Sequence, residues 1–278
     1  MISTHISAKH NLFDLKLREV WQYRDLITLF TKRSFSTRYK QTILGPLWLL
    51  LNPLLTTIMN LVVFGNIAKL GTDGVPKLLF YMSGNAIWSF FANCVTGNAG
   101  TFTDNAGVFG KVYFPRLTVP LSQVLSNCIY FGIQMLMIAG LMLYYAVSGG
   151  IALYPIRWLL IPVLLLMLGM MGMGCGILIS SLTTKYRDLS VLVSFGVGLW
   201  MYATPVVYPM SELGDGVLKT LITLNPVTAP VELFRYALLG VGTVSASGIL
   251  LSTAFTLTVL VLGIAVFNLV ERTFMDTV

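Results

Sequence analysis

The stretch Trp158–Thr184 reads WLLIPVLLLMLGMMGMGCGILISSLTT, 27 residues without one charged side chain. At 1.5 Å per residue such a run is long enough to cross the hydrocarbon of a bilayer, which takes about 20 residues. Five other charge-free stretches flank it: 41–68, 78–103, 117–156, 189–211 and 236–270. Across the chain 56% of residues are apolar and only 10% are Asp, Glu, Lys or Arg, against roughly 25% charged in soluble domains. So few charges cannot coat a soluble fold of 278 residues. They also exclude a disordered chain, a disulfide scaffold and a nucleic-acid-binding domain, because the net charge of +7 is not spread over a soluble basic surface. The chain reads as an integral membrane protein.

Charge bias sets the number of crossings. Cytoplasmic segments collect Lys and Arg, and six spans with both termini inside place 1–42, 104–116, 183–190 and 271–278 there, holding 13 of the 18 basic residues. Splitting 117–156 in two would turn either Lys111/Arg116 or Lys185/Arg187 outward. The expected fold is therefore all-α and polytopic, one transmembrane domain with spans near 44–66, 79–102, 121–147, 158–181, 190–208 and 249–270. Residues 23–37 read as an amphipathic interfacial helix, with Tyr23, Leu26, Ile27 and Phe30 on one face. It lies within the polar, charged 1–42 segment, which precedes the first apolar run and argues that this run is not a cleaved signal, and Arg33, Arg38 and Lys40 come at headgroup depth. Asn52-Pro53 should bend span one, and Gly172 and Gly176 form a small-xxx-small packing face. Cys94, Cys128 and Cys175 read as small core residues.

Between 209 and 248 two apolar pieces, 217–224 and 230–239, are too short to cross. They are expected to be re-entrant or interfacial, after Thr204-Pro205 and Tyr208-Pro209 break span five. A cap over the outer end and a movable outer gate both fit this segment, with Asn225-Pro226 at its centre and Phe234 and Arg235 beyond.

The absences narrow the chemistry. The chain has no G-x-x-x-x-G-K-[ST], so it does not bind ATP through a P-loop, and no metal or triad motif. No Asp, Glu, His or Arg falls within the expected span cores, where proton- or sodium-coupled carriers keep such groups. Uphill transport would then draw its free energy from another, cytoplasmic ATP-hydrolysing chain. Residues 104–116 are the candidate docking surface: a helix-capping Asp104 with an aromatic-basic cluster of Phe109, Lys111, Tyr113, Phe114, Pro115 and Arg116. Lys185, Tyr186 and Arg187 form a second inner loop. Trp48, Tyr81, Trp88, Phe90, Phe91, Trp200 and Tyr202 lie away from the interfacial belts and fit either helix packing or an uncharged pathway suited to sugar rings. A membrane enzyme acting on lipid-linked sugars would have Glu232, expected near the outer surface, as its best candidate for a reactive side chain. A drug or lipid exporter permease is the other alternative.

Four strings occur in order: Arg38-Tyr39-Lys40-Gln41-Thr42-Ile43-Leu44-Gly45-Pro46-Leu47-Trp48 with Pro53; Val112-Tyr113-Phe114-Pro115-Arg116; Lys185-Tyr186-Arg187-Asp188-Leu189; and Leu224-Asn225-Pro226 with Phe234-Arg235-Tyr236. Over residues 20–275 the chain resembles membrane subunits of polysaccharide ABC exporters, which export O-antigen, capsule and teichoic-acid chains. The resemblance implies two copies of this chain in the bacterial inner membrane with two cytoplasmic P-loop ATPase subunits. ATP and magnesium would bind in the partner and no cofactor in this chain. It further implies a channel beside spans one and five, short outer gate helices, and an undecaprenyl-diphosphate-linked polymer whose diphosphate would meet Arg33, Arg38 and Lys40.

Overall fold

A computed structural model describes residues 17–39, 44–184, 186 and 188–277; Lys40, Lys185 and Arg187 lie outside these, as does the side chain of Arg38. All regular structure among the described residues is helical. In chain order the helices are α1 (Leu17–Gln22), α2 (Arg24–Tyr39), α3 (Trp48–Asn60), α4 (Lys77–Ala99), α5 (Thr101–Phe109), α6 (Thr118–Val147), α7 (Leu160–Thr183), α8 (Leu189–Trp200), α9 (Val217–Leu224), α10 (Thr228–Leu239) and α11 (Ala246–Thr277). Gly45-Pro46-Leu47 opens α3 as a tight 3-10 turn, and α3 runs through Pro53 into a π-helical stretch, Leu61–Ile67. The chain is an all-α polytopic membrane protein. By length and composition four runs can cross a bilayer: Gly45–Ile67, Thr118–Val147, Pro155–Thr183 and Ala246–Glu271.

The second apolar stretch forms α4, whose 23 residues are long enough but carry Ser83, Asn85 and Asn98 among the apolar ones. That mixture suits its place. The helix is buried on nearly every side, with α7 and α6 as its main neighbours and α3, α8 and α10 beside them, so it faces protein rather than lipid. Its polar groups bind neighbours. Asn85 donates to Thr57 Oγ1 at 3.2 Å and accepts from Asn60 at 2.9 Å, tying α3 to the hub.

Close approach of α4 and α7 depends on the small face predicted from Gly172 and Gly176. A β-carbon on Gly172 would stand 2.6 Å from Cys94 Cβ and 3.2 Å from Phe91 O. Gly172→Val is expected to push the two helices apart and cut the yield of monodisperse protein in detergent several-fold. Unchanged yield and elution would contradict this packing.

The fifth stretch departs from a span over 190–208. Helix α8 ends at Trp200 after 12 residues, about 18 Å, and residues 201–208 continue as turns and bends. Pro205 supplies the reason. It lacks an N–H and disfavours helical backbone at Thr204.

Helix α2 lies against α6. Ile27, Phe30 and Thr31 are buried, Phe30 meets Phe114 at 5.7 Å between ring centroids, and Phe35 stacks on Tyr130 at 5.7 Å. The apolar face predicted for 23–37 is thus covered largely by the bundle itself, whereas Trp21 and Leu29 are exposed.

Candidate functional site

Two clusters hold the residues singled out from the sequence, one at each end of the bundle. The first gathers α5, the turn that follows it, and the ends of α2, α7 and α11. Phe109 and Phe114 are buried there with Phe30, Phe102, Ile177, Ile264 and Phe267. Arg116 lies over the Phe109 ring at 5.3 Å, donates to Glu271 O at 3.1 Å and pairs with the Glu271 carboxylate at 3.6 Å. Burial draws the Arg116 guanidinium below its ordinary range, and Glu271 opposes that shift. Pro115 is also buried.

These four residues anchor the turn from beneath, Arg116 alone of them keeping some exposure. What the turn does present is Lys111, Val112 and Tyr113, the last 62% exposed. Tyr186, from the second loop, is exposed as well. The aromatic-basic cluster read from the sequence therefore divides into an internal clamp and a short outward edge. Asp104 is not a cap. It is the fourth residue of α5, whose N-cap is Gly100 without a side-chain bond, and its charge suits that first turn through the helix dipole.

Arg33 lines a cavity of about 390 Å³ between α2, the α4–α5 junction and α6, together with Asn105, Gln123 and Asp104. Its guanidinium and the two amides could meet an anionic group, while Asp104 opposes one.

The second cluster forms where α8 unwinds. Losing helix leaves backbone carbonyls that need donors, since burial without one costs several kcal/mol in an apolar setting. Two side chains supply them. Asn225, in the link between α9 and α10, donates to Ala203 O and Thr204 Oγ1, both at 2.9 Å, and accepts from Trp200 Nε1 at 3.1 Å. From α10, Arg235 donates to Pro205 O through Nη1 and to Val206 O through Nη2. Its guanidinium lies 4.0 Å over the Phe80 ring and pairs with Glu232 at 3.2 Å. The other carboxylate oxygen of Glu232 accepts from the Thr243 N–H at 2.9 Å and from the Thr243 hydroxyl at 3.2 Å.

Gly84 of α4 makes room. A β-carbon there would stand 2.8 Å from Arg235 Nη2 and 2.5 Å from Val206 O. Glu232 and Arg235 are 2% and 1% exposed, and they are the only buried charged side chains among the described residues. Glu232, read from the sequence as an available acid near the outer surface, is buried within the protein and closed off by a salt bridge and a backbone N–H. The missed signal was available: Glu232 and Arg235 stand three apart on an apolar helix and so share a face.

The two short outer helices differ. Helix α10 packs on α4, α7 and α11, and Phe234 is fully buried against Phe131 at 5.8 Å. Helix α9 shows Val217, Leu218, Leu221 and Leu224 on its exposed side and buries only Ile222. Pro226 accepts a bond from Ser252 at 2.6 Å, Tyr208 donates to Tyr202 O at 3.0 Å, and Pro209 is buried.

The aromatic set also splits. Tyr81, Trp88, Phe90 and Phe91 are packed inside the protomer, Trp88 and Phe91 edge-on to Trp200 at 6.4 and 5.4 Å. Only Trp48 and Tyr202 present substantial surface, 36% and 54%. The packing alternative fits the four buried rings.

Residues 25–239 match the ABC-2 type transporter family. The chain is 29% identical over 257 residues to the O-antigen export system permease protein RfbA of Klebsiella pneumoniae, covering 91% of this chain and 94% of that protein. A protein of the same name from Myxococcus xanthus is 30% identical over 220 residues, 77% of this chain and 80% of its own length. With helical architecture throughout the described residues and a family match over residues 25–239, the chain belongs to the ABC-2 type transporters as a membrane permease.

Proposed function

We propose that this permease is the membrane subunit of an ATP-driven exporter carrying an undecaprenyl-diphosphate-linked, O-antigen-like polysaccharide out across the inner membrane. Family membership implies an ATPase partner subunit, and that partner would hold ATP and magnesium. In this reading two copies of the chain pair, both termini face the cytoplasm, and spans one and five border the pathway. Lys111, Tyr113 and Tyr186 meet the ATPase, Arg33 faces the lipid diphosphate, and α9 with the 201–209 segment closes the outer end.

One observation carries the reading. The only buried ionised pair among the described residues, Arg235 and Glu232, is committed on both oxygens of the carboxylate and on both terminal guanidinium nitrogens. A coupling carboxylate must release and rebind a proton or ion during each cycle. Glu232 is held by bonds that such a cycle would break, so it serves structure, and energy must come from outside the chain.

Gentle-detergent purification from native membranes is expected to recover a P-loop ATPase in equal amount. Deleting the gene should leave lipid-linked glycan on the cytoplasmic side. Recovery of the permease alone under every mild condition, with no glycan accumulating, would overturn the proposal.

A further inference from the structure

On the other side of the α4–α5 junction from Arg33 lies a cavity of about 500 Å³, bounded by α4 and α5, the end of α7 and the start of α8. Its volume is within the roughly 300–1,000 Å³ of small-molecule sites. The lining is unusually uniform in hydrogen-bond character. Thr96 donates to Ala92 O at 2.9 Å, Thr184 to Ser181 O at 2.8 Å and Ser194 to Ser190 O at 3.0 Å. Thr183 donates to Ala99 O and Ser180 O at 3.0 and 2.9 Å, and Thr103 to Gly100 O and Asp104 Oδ1 at 3.2 and 3.3 Å.

A hydroxyl carries one proton and two acceptor lone pairs. With each proton engaged by the protein's own oxygen atoms, the hydroxyls of Thr96, Thr103, Thr184 and Ser194 offer a ligand acceptors, while Thr183 is buried behind them. The Asp104 carboxylate is likewise an acceptor, and no Lys, Arg or His is among the described residues lining the cavity. Such a wall repels phosphate and leaves a donor-poor ligand unpaired. It suits a neutral molecule with several O–H donors. An ammonium group concentrates its donors at one point and would satisfy Asp104 alone. The hydroxyls here are distributed over four helices, so donors distributed around a ring match them better.

We propose that this cavity is a binding subsite for sugar hydroxyls, at the end of the bundle that carries residues 104–116, separate from the Arg33 cavity and discriminating against the diphosphate. The inference rests on the polysaccharide-export reading. It adds to that reading a place where the glycan itself, rather than its lipid anchor, is held by α8 and the α4–α5 junction. Asp104 lines both cavities, so a sugar held here lies next to the side chains facing the neighbouring one.

The test uses the full-length chain in lipid nanodiscs and, as probe, oligosaccharides released by mild acid from the host's surface polysaccharide. Saturation-transfer NMR and titration are expected to show binding that weakens at least tenfold in Asp104→Asn, which keeps shape but replaces an acceptor oxygen with a donor. The same loss is expected in Val193→Trp, which fills the cavity while replacing none of its polar side chains. Inorganic pyrophosphate should not compete with the oligosaccharides, and its binding should not respond to Val193→Trp. Nanodisc elution and thermal midpoint report whether each variant is folded. Equal oligosaccharide binding in the wild type and in either folded variant, or no binding at all, overturns the subsite. Binding of ethanolamine that both variants abolish, with the oligosaccharides indifferent, makes it an amine site and equally overturns the proposal. Loss of surface polysaccharide on gene deletion reports on the export reading separately.

Discussion

Arg235→Ala is expected to abolish export and to lower the amount of folded permease in the membrane several-fold. The substitution leaves Glu232 buried opposite no cation and removes the donors from Pro205 O and Val206 O. Breaking a buried pair by removing one member costs about 3–5 kcal/mol, comparable to the whole stability of many domains. Folded yield after detergent extraction, with surface polysaccharide measured alongside, checks the result. A second variant separates charge from capping. Arg235→Met with Glu232→Met removes the lone charge and should restore yield in part only, because apolar replacement of a buried pair is often neutral while Pro205 O and Val206 O still lack their donors. Export should stay impaired, since the unwound end of α8 still lacks its donors. Full recovery of export in the double variant would show that Arg235 does no more than neutralise Glu232. Arg235→Lys should rescue only in part, because one ammonium cannot reproduce a fork reaching two carbonyls.

Lys111→Glu combined with Tyr113→Asp should cut export at least tenfold with insertion and yield unchanged. Both side chains sit on the outward edge of the turn after α5 and make no contact that the fold requires. A charge reversal at an interface disfavours the original partner. Phe109→Ala is the counterpart. It opens a hole in the cluster formed with Phe30, Phe102 and Phe267 and should cost about 3–5 kcal/mol, so yield falls along with export. Arg116 is the poorer probe because it is paired inside the protein with Glu271. Normal export from the Lys111/Tyr113 variant would move the docking surface elsewhere.

The helices were legible in the sequence because charge-free length is a strong signal, and a proline pair is a strong interruption. α6, α7 and α11 fall on the apolar stretches that predict them, and the break after Trp200 follows from Pro205. The face shared by Gly172 and Gly176 could be named in advance because small residues four apart on an apolar helix mark close packing, and α4 is the helix set against it. What periodicity could not supply was depth. Helices α9 and α10 are both short and apolar, yet one is largely exposed and the other buried, a difference that depends on which helix meets α4. For the same reason Glu232 read as an available acid, although it stands three residues from its buried partner on one face. Residue type also misled at the turn after α5, where Phe109 and Phe114 were grouped with Tyr113 as one docking surface. Two of the three rings pack inward and hold the third outward.

The most direct measurement takes the purified permease, with and without its ATPase partner, in sealed vesicles loaded with lipid-linked glycan. Movement across the bilayer is expected only when the partner and ATP are both present, and an imposed proton or sodium gradient on the permease alone should move nothing. Gradient-driven movement by the permease alone would mean that a group inside it titrates or binds an ion, which contradicts an interior whose one fully buried ion pair among the described residues is held on both carboxylate oxygens and both terminal guanidinium nitrogens.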